Sequence, residues 1–203
     1  MRVPPRGRPA DRRLARSAAT RTAVVDALLG LIESGDLRPT APRIAARAGV
    51  SLRSVFQHFA DLEALFAAAA DRQTEKIRSL GRRLEPSGPL ARRVTAFVVQ
   101  RRRILEAIAP VRRAALLMEP FSAEIQTRLA QARRLGRVEL ERVFAPELAV
   151  RRGAARTEVL AALAAASSFS AWEALRTHQR LSVARAQRVM AVTLRALLEP
   201  RET

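Results

Sequence analysis

The sequence predicts an all-α protein, on three observations. Apolar residues recur at spacings of three and four along nearly the whole chain. Pro110, Pro120, Pro146 and Pro200 punctuate the later stretches, with Gly153 before the eighth. No stretch alternates apolar and polar residues well enough to compete as a strand. About nine helices are expected on this pattern.

Leu14, Ala18, Val25, Leu29 and Ile32 mark the first helix, which ends near Ser34 with Gly35 suited to its C-terminal cap. Thr40 N-caps a short second helix to about Ala48, with Pro42 tolerated in its first turn. Gly49 stops it, and Ser51 caps a third helix to about Phe59. Asp61 caps a fourth, to about Leu84. "EPSGP", Glu85 to Pro89, is the clearest linker. Beyond it the expected helices are Leu90–Ile108, Val111–Met118, Ser122–Phe144, Ala154–Thr177 and Ser182–Leu198, with Pro110, Pro120 and Pro146 between them.

The chain has 203 residues and carries 37 basic side chains against 19 acidic ones, a net charge of +18. All the basic residues but Lys76 are arginine. A field this positive favours polyanions, nucleic acid first and anionic membrane surface second. There is no cysteine, which excludes disulfides, thiolate nucleophiles and cysteine-held metals. Met1 to Arg16 is polar and basic, unlike a secretory signal, and reads as a disordered basic arm. The longest apolar run, Val159 to Ala166, is eight residues, far short of the ~18 of a membrane span. A soluble cytoplasmic protein with no membrane partner is expected.

"ARAGVSLRSVFQHF", Ala46 to Phe59, holds the most specific pattern. Small Ala45 lets two helices cross closely, and Gly49 permits positive φ in a tight turn. Val50, Val55 and Phe59 would pack inward with Ile44 and Ala48. Leu52, Arg53, Ser54, Phe56, Gln57 and His58 are left around the rest of the second helix. Such a helix fits the DNA major groove. Leu37 to Ala60 contains no acidic residue, as a phosphate-facing surface requires.

Thr40, Ile44, Ala45, Ala48, Gly49, Val50, Ser51, Ser54, Phe56, Phe59, Glu63 and Leu65 carry a further likeness. Residues 17 to 66 resemble the DNA-binding domain of the TetR/AcrR family of bacterial transcriptional regulators. The family pattern runs roughly T-x-x-x-IA-x-x-AGVS-x-x-T-x-Y-x-x-F-x-x-K-E-x-L. The resemblance implies a basic arm at 1–16, a three-helix helix-turn-helix domain at 17–60 and an effector-binding and dimerisation domain at 61–203. It implies base reading by Arg53 and Gln57. Thr40, Arg43, Ser51, Ser54 and His58 would position the DNA backbone. Two departures stand out: Phe56 sits where a phosphate-binding tyrosine is usual, and Leu62 where a lysine is usual. Leu52 either meets a thymine methyl or simply lies on the surface.

"PRGRP", Pro5 to Pro9, matches the core of an AT-hook, so Arg6 and Arg8 are candidates for a narrow A·T minor groove. A solubilising tail is the other reading.

One short helix reads too few bases, so a homodimer on a palindromic double-stranded operator is expected. The resemblance places the dimer interface on the last two helices, where Ala161, Ala164, Ala165 and Ser168 are small and Val183, Met190, Leu194, Leu197 and Leu198 apolar; these residues serve the interface, the chain's own core, or both. It also implies a sensor pocket among the fifth to eighth helices. Phe97, Ile104, Met118, Phe121, Phe144, Phe169 and Trp172 are candidates for an apolar effector there, or for plain core. Arg101 sits on the apolar stripe of Phe97, Ile104 and Ile108. It meets an acidic effector, pairs with Glu106 or Glu119, or snorkels outward.

The leading reading is therefore a sequence-specific, ligand-responsive homodimeric repressor. The alternative is a ligand-independent architectural, nucleoid-type DNA binder. An enzyme is disfavoured: two histidines, no cysteine and no tyrosine leave little chemistry, and no metal spacing, P-loop or nucleophile elbow is present. No catalytic residue, metal or cofactor is expected.

Overall fold

The structure is a computed structural model that describes residues 9–199. All regular elements among the described residues are helical: α1 (Pro9–Glu33), α2 (Ala41–Ala48), α3 (Leu52–His58), α4 (Leu62–Leu80), α5 (Leu90–Met118), α6 (Ala123–Val143), α7 (Ala145–Ala149), α8 (Gly153–Ala166), α9 (Phe169–Glu173) and α10 (Val183–Leu198). A 3-10 turn, Glu119–Phe121, follows α5, and a π turn, Ala174–His178, continues α9.

The residues form two compact units. Among the described residues, the first runs to Thr74 and takes in Pro110–Ile125; the second holds Glu75–Ala109 and the chain from Gln126 onward. This departs from the expected boundary at residue 60. The first unit's core is built on Val24, Leu28, Ile32, Ile44 and Val55, but it also needs Leu65 and Ala69 of α4 and Ala114 of α5. α2 and α3 have only 8 and 7 residues and bury little apolar surface with α1 alone, so the next elements complete the core. The second unit is centred on Phe97, Leu140, Phe144, Leu163, Trp172 and Met190, all close to fully buried.

α1 begins at Pro9, inside the stretch expected to be a disordered arm. Proline is tolerated in a first turn, Asp11 complements the helix dipole there, and the alanines that follow favour helix. The buried stripe of α1 starts only at Val24; Leu14, expected on it, is 69% exposed. Arg6 and Arg8 lie outside the described residues.

α5 is one helix, not two separated at Pro110. The proline removes one backbone donor, a cost of about 3 kcal/mol in a helix interior. Buried Ile104, Leu105 and Ile108 before it and Ala114 after it hold the helix on both sides. The helix expected over Ala154–Thr177 is instead broken at Ser167 and Ser168. The buried Ser167 hydroxyl donates to the Leu163 carbonyl at 2.8 Å, and Ser168 accepts from the Ala171 amide at 3.1 Å as the cap of α9. Serine hydroxyls offer the backbone an alternative to continuing the helix, and two in succession redirect it. α6 likewise stops at Val143, and Pro146 starts the separate short α7. α4 ends at Leu80 rather than Leu84.

No described helix is long and apolar enough to cross a membrane.

Candidate nucleic-acid interface and sensor core

Gly49 ends α2 with φ +67°, the left-handed conformation that the turn requires. The Val50 amide donates to the Ala45 carbonyl at 3.1 Å, closing the helix end. Pro42 lies in the first turn, and the Thr40 side chain makes no capping bond. Two residues past the glycine, Ser51 caps α3 by accepting from the Ser54 amide at 3.1 Å, and the two hydroxyls pair at 3.0 Å. Inward, Ile44, Ala45, Val55 and Phe59 are buried. The Arg21 guanidinium lies over the Phe59 ring, 4.8 Å from its centre. A β-carbon at Gly30 would come within 2.7 Å of the Arg47 guanidinium, so that glycine leaves room for this side chain against α1.

With these residues inward, Leu52, Arg53, Phe56 and Gln57 are exposed on α3, while Ser54 and His58 are half-buried. Leu52 and Phe56, 43% and 47% exposed, are large apolar groups left in water one turn apart. Thr40, Arg43 and Ser51 are also exposed. Arg43 is not idle: its guanidinium pairs with Asp36 at 2.9 Å, just outside the acid-free stretch. That pairing was not anticipated. Asp61 caps α4 through the Ala64 amide at 2.7 Å, and Glu63 accepts from the buried Ser122 hydroxyl.

The turn offers a direct test. A β-carbon at Gly49 meets nothing within 4 Å, so a side chain there is strained by backbone conformation and not by a clash. Gly49→Val is expected to cost about 1–3 kcal/mol. Gly49→Asn should lose less, since asparagine tolerates the left-handed region. Thermal unfolding of the two variants checks the order.

In the second unit, Phe97 and Phe144 pack edge to face with ring centres 5.5 Å apart. Ile104 and Trp172 are buried beside them in the same core, and Phe169 packs against it half-buried. The Trp172 indole N–H donates to Glu106 at 2.7 Å, and Arg176 donates to the same carboxylate oxygen at 3.0 Å. Glu106 is therefore the partner of these two residues and not of Arg101. Arg101 instead donates through Nε to the Ser167 carbonyl at 2.9 Å and lies 5.8 Å from the centre of the Phe97 ring. Burial pushes its guanidinium below the usual arginine range, against the pull of the Glu139 charge.

Two expected pocket residues do not join this group. Met118 and Phe121 belong to the first unit, and Phe121 is 77% exposed. Met118 ends the continuous α5 and Phe121 lies in the 3-10 turn after it, both beyond Pro110. The buried pair of Arg93 and Glu147 was also missed, because its members lie 54 positions apart and no local pattern links them. On α10, Met190, Leu194 and Leu198 are buried within the chain's own core, so they are not available as dimer contacts; Val189 and Val192 are exposed instead. No group of His, Cys, Asp or Glu side chains among the described residues could hold a metal ion.

A helical amino-terminal unit with a tight helix-turn-helix, followed by a second unit of longer helices, defines the chain as a TetR-type fold. It is similar to a solved transcriptional regulator from Rhodococcus sp. Rha1, at 21% identity over 90% of this chain and 95% of that one, with a TM-score of 0.66. A TetR transcription regulator from Haloarcula marismortui aligns at 17% identity over 90% of this chain and 100% of its own, with a TM-score of 0.65. The multidrug-binding protein EbrR, solved with imidazole, aligns at 18% identity over 90% and 92% of the two chains, with a TM-score of 0.61. No family model and no curated protein matches the sequence.

Proposed function

We propose that this chain is a cytoplasmic, sequence-specific transcriptional regulator that binds a palindromic operator as a homodimer and releases it on binding a small apolar or acidic effector. The observation that carries this reading is the exposed face of α3 within an acid-free stretch from Leu37 to Ala60. Arg53 and Gln57 are the base-reading candidates, since long donors on a helix reach base edges. Leu52 and Phe56 suit thymine methyls. Thr40, Arg43, Ser51, Ser54 and His58 would set register against phosphates, with Arg6 and Arg8 added from the arm. The mechanism is non-catalytic. Two recognition helices must enter successive major grooves roughly 34–36 Å apart, so a modest change in their separation releases DNA. For the dimer, Val189 and Val192 on α10 with exposed Ala161 and Ala165 on α8 supply small and apolar contacts.

Fluorescence anisotropy with the chain's own upstream intergenic DNA and a scrambled duplex, at two salt concentrations, tests the reading. A preference of at least about 1,000-fold is expected. Arg53→Ala should remove about 1–3 kcal/mol of that preference while leaving scrambled binding nearly unchanged. Equal affinities that collapse together as salt rises would instead favour an architectural DNA binder.

A further inference from the structure

We infer that Arg101 is an anion-holding group, and that the second unit takes an organic anion: a carboxylate, sulfonate or phosphate headgroup on an apolar body. This rests on the reading of that unit as the effector sensor and narrows its ligand.

Four other half-buried or buried arginines of the unit have partners, whereas the neighbouring Arg102 has a buried Nε without one among the described residues. Arg93 is neutralised by both oxygens of Glu147. Arg176 pairs with Glu106. Arg142 bonds the Leu84 carbonyl and lies 4.0 Å from Glu139. Arg151 donates to the carbonyls of Leu197, Leu198 and Glu199 at the end of α10, where the helix dipole is negative. Arg101 has no carboxylate partner and, like Arg151, meets a carbonyl at a helix end, that of Ser167 after α8. Its bond to Ser167 uses Nε alone. Among the described residues neither of its terminal nitrogens has a partner, and no carboxylate lies within ion-pairing distance. The nearby Glu139 already accepts from Gln100 at 2.9 Å. A half-buried cation whose forked edge makes no bond within the described chain is free to hold an anion.

The chain also makes room for this group. Gly136 lies inside α6, where glycine costs about 1 kcal/mol relative to alanine. A β-carbon there would stand 2.8 Å from one terminal nitrogen of Arg101 and 3.4 Å from the other. The glycine is what lets the guanidinium occupy its position. Phe97, one turn away on α5, floors the cation, and Ile104 continues the same stripe. Charge and apolar surface are adjacent, which matches a ligand that is anionic at one end and apolar at the other.

The test compares two fluorescent probes that differ by one sulfonate group, anionic 8-anilinonaphthalene-1-sulfonate and neutral N-phenyl-1-naphthylamine, titrated into the full chain. Wild type is expected to bind the sulfonate more tightly. Arg101→Met should weaken the sulfonate about tenfold, the scale of one charge-assisted hydrogen bond, and leave the neutral probe within about twofold. Arg101→Lys should keep part of the preference. Gly136→Ala is the gentle variant: it favours the helix and meets only the far end of a flexible side chain, so it folds while displacing the guanidinium, and it should weaken the sulfonate several-fold. Unchanged sulfonate affinity in Arg101→Met and Gly136→Ala, with circular dichroism showing both folded, overturns the inference. Should Arg101→Met not fold, Gly136→Ala alone decides. Anisotropy on operator and scrambled DNA separates the two ideas. Intact operator preference with no charge effect sinks the anion site alone. A charge effect without operator preference sinks the regulator.

Discussion

Arg93→Met is expected to lower stability by about 3 kcal/mol, the lower end for breaking a buried ion pair because Glu147 keeps some water. Arg93 is 5% exposed and uses its whole guanidinium. Nε donates to the Gly88 carbonyl at 3.1 Å, one terminal nitrogen donates to the Val143 carbonyl at 2.9 Å and to Glu147 at 2.7 Å, and the other takes the second Glu147 oxygen. The side chain thus ties the linker before α5, the end of α6 and α7 together. Methionine fills similar space but leaves a carboxylate and two carbonyls without that donor. Urea unfolding at neutral pH measures the loss. The double variant with Glu147→Leu should recover part of it, since the stranded charge is then gone.

The same pair sets a pH signature. Burial alone pushes the Glu147 carboxyl up. Hydrogen bonds from Arg93 and from its own amide, with the charges of Arg93 and Arg151, outweigh burial and hold it below the usual carboxylate range. A depressed folded value means the stabilisation is fully present above about pH 4.3, the ordinary glutamate value, and is lost as pH falls through the folded one. The gap between wild type and Arg93→Met should therefore narrow on acidification over that window.

Trp172→Ala should cost about 3–5 kcal/mol, the range for removing a large buried aromatic side chain. The ring is 1% exposed in the core of the second unit. Its loss leaves a cavity and takes away one of the two donors to Glu106. Trp172→Phe separates the contributions. It keeps most of the packing and gives up the N–H, so about 1–2 kcal/mol is expected from the donor and residual volume. Urea unfolding of both variants, with slopes compared against wild type, checks whether each change is in stability and not in the unfolded chain.

The helix-turn-helix was readable because its determinants are local. Gly49 needs its φ whatever surrounds it, Ser51 caps the helix that follows directly, and Val55 and Phe59 repeat at the helical period. Where tertiary packing decides, the sequence misled. Pro110 is a local stop signal, yet buried neighbours on both sides carry α5 through it. Ser167 and Ser168 sit in an alanine-rich run that reads as continuous helix, and only the buried environment makes the hydroxyls break it. Phe97, Phe144 and Trp172 are buried and Phe121 is exposed, but nothing in the local pattern tells Phe121 from Phe97. The partners of Glu106, Glu139 and Glu147 are set by helices far apart in the chain. Gly136 was the overlooked clue, an isolated glycine in the midst of a strong helical pattern.

The indole of Trp172 has a consequence for watching the molecule work. It is the one tryptophan, and the chain has no tyrosine. Red-edge ultraviolet emission therefore comes from a single address in the second unit, with a carboxylate at the ring nitrogen. Duplex DNA contributes no comparable emission, and the first unit contributes none. A spectral shift reads the second unit alone, so the protein carries an optical reporter that requires no label.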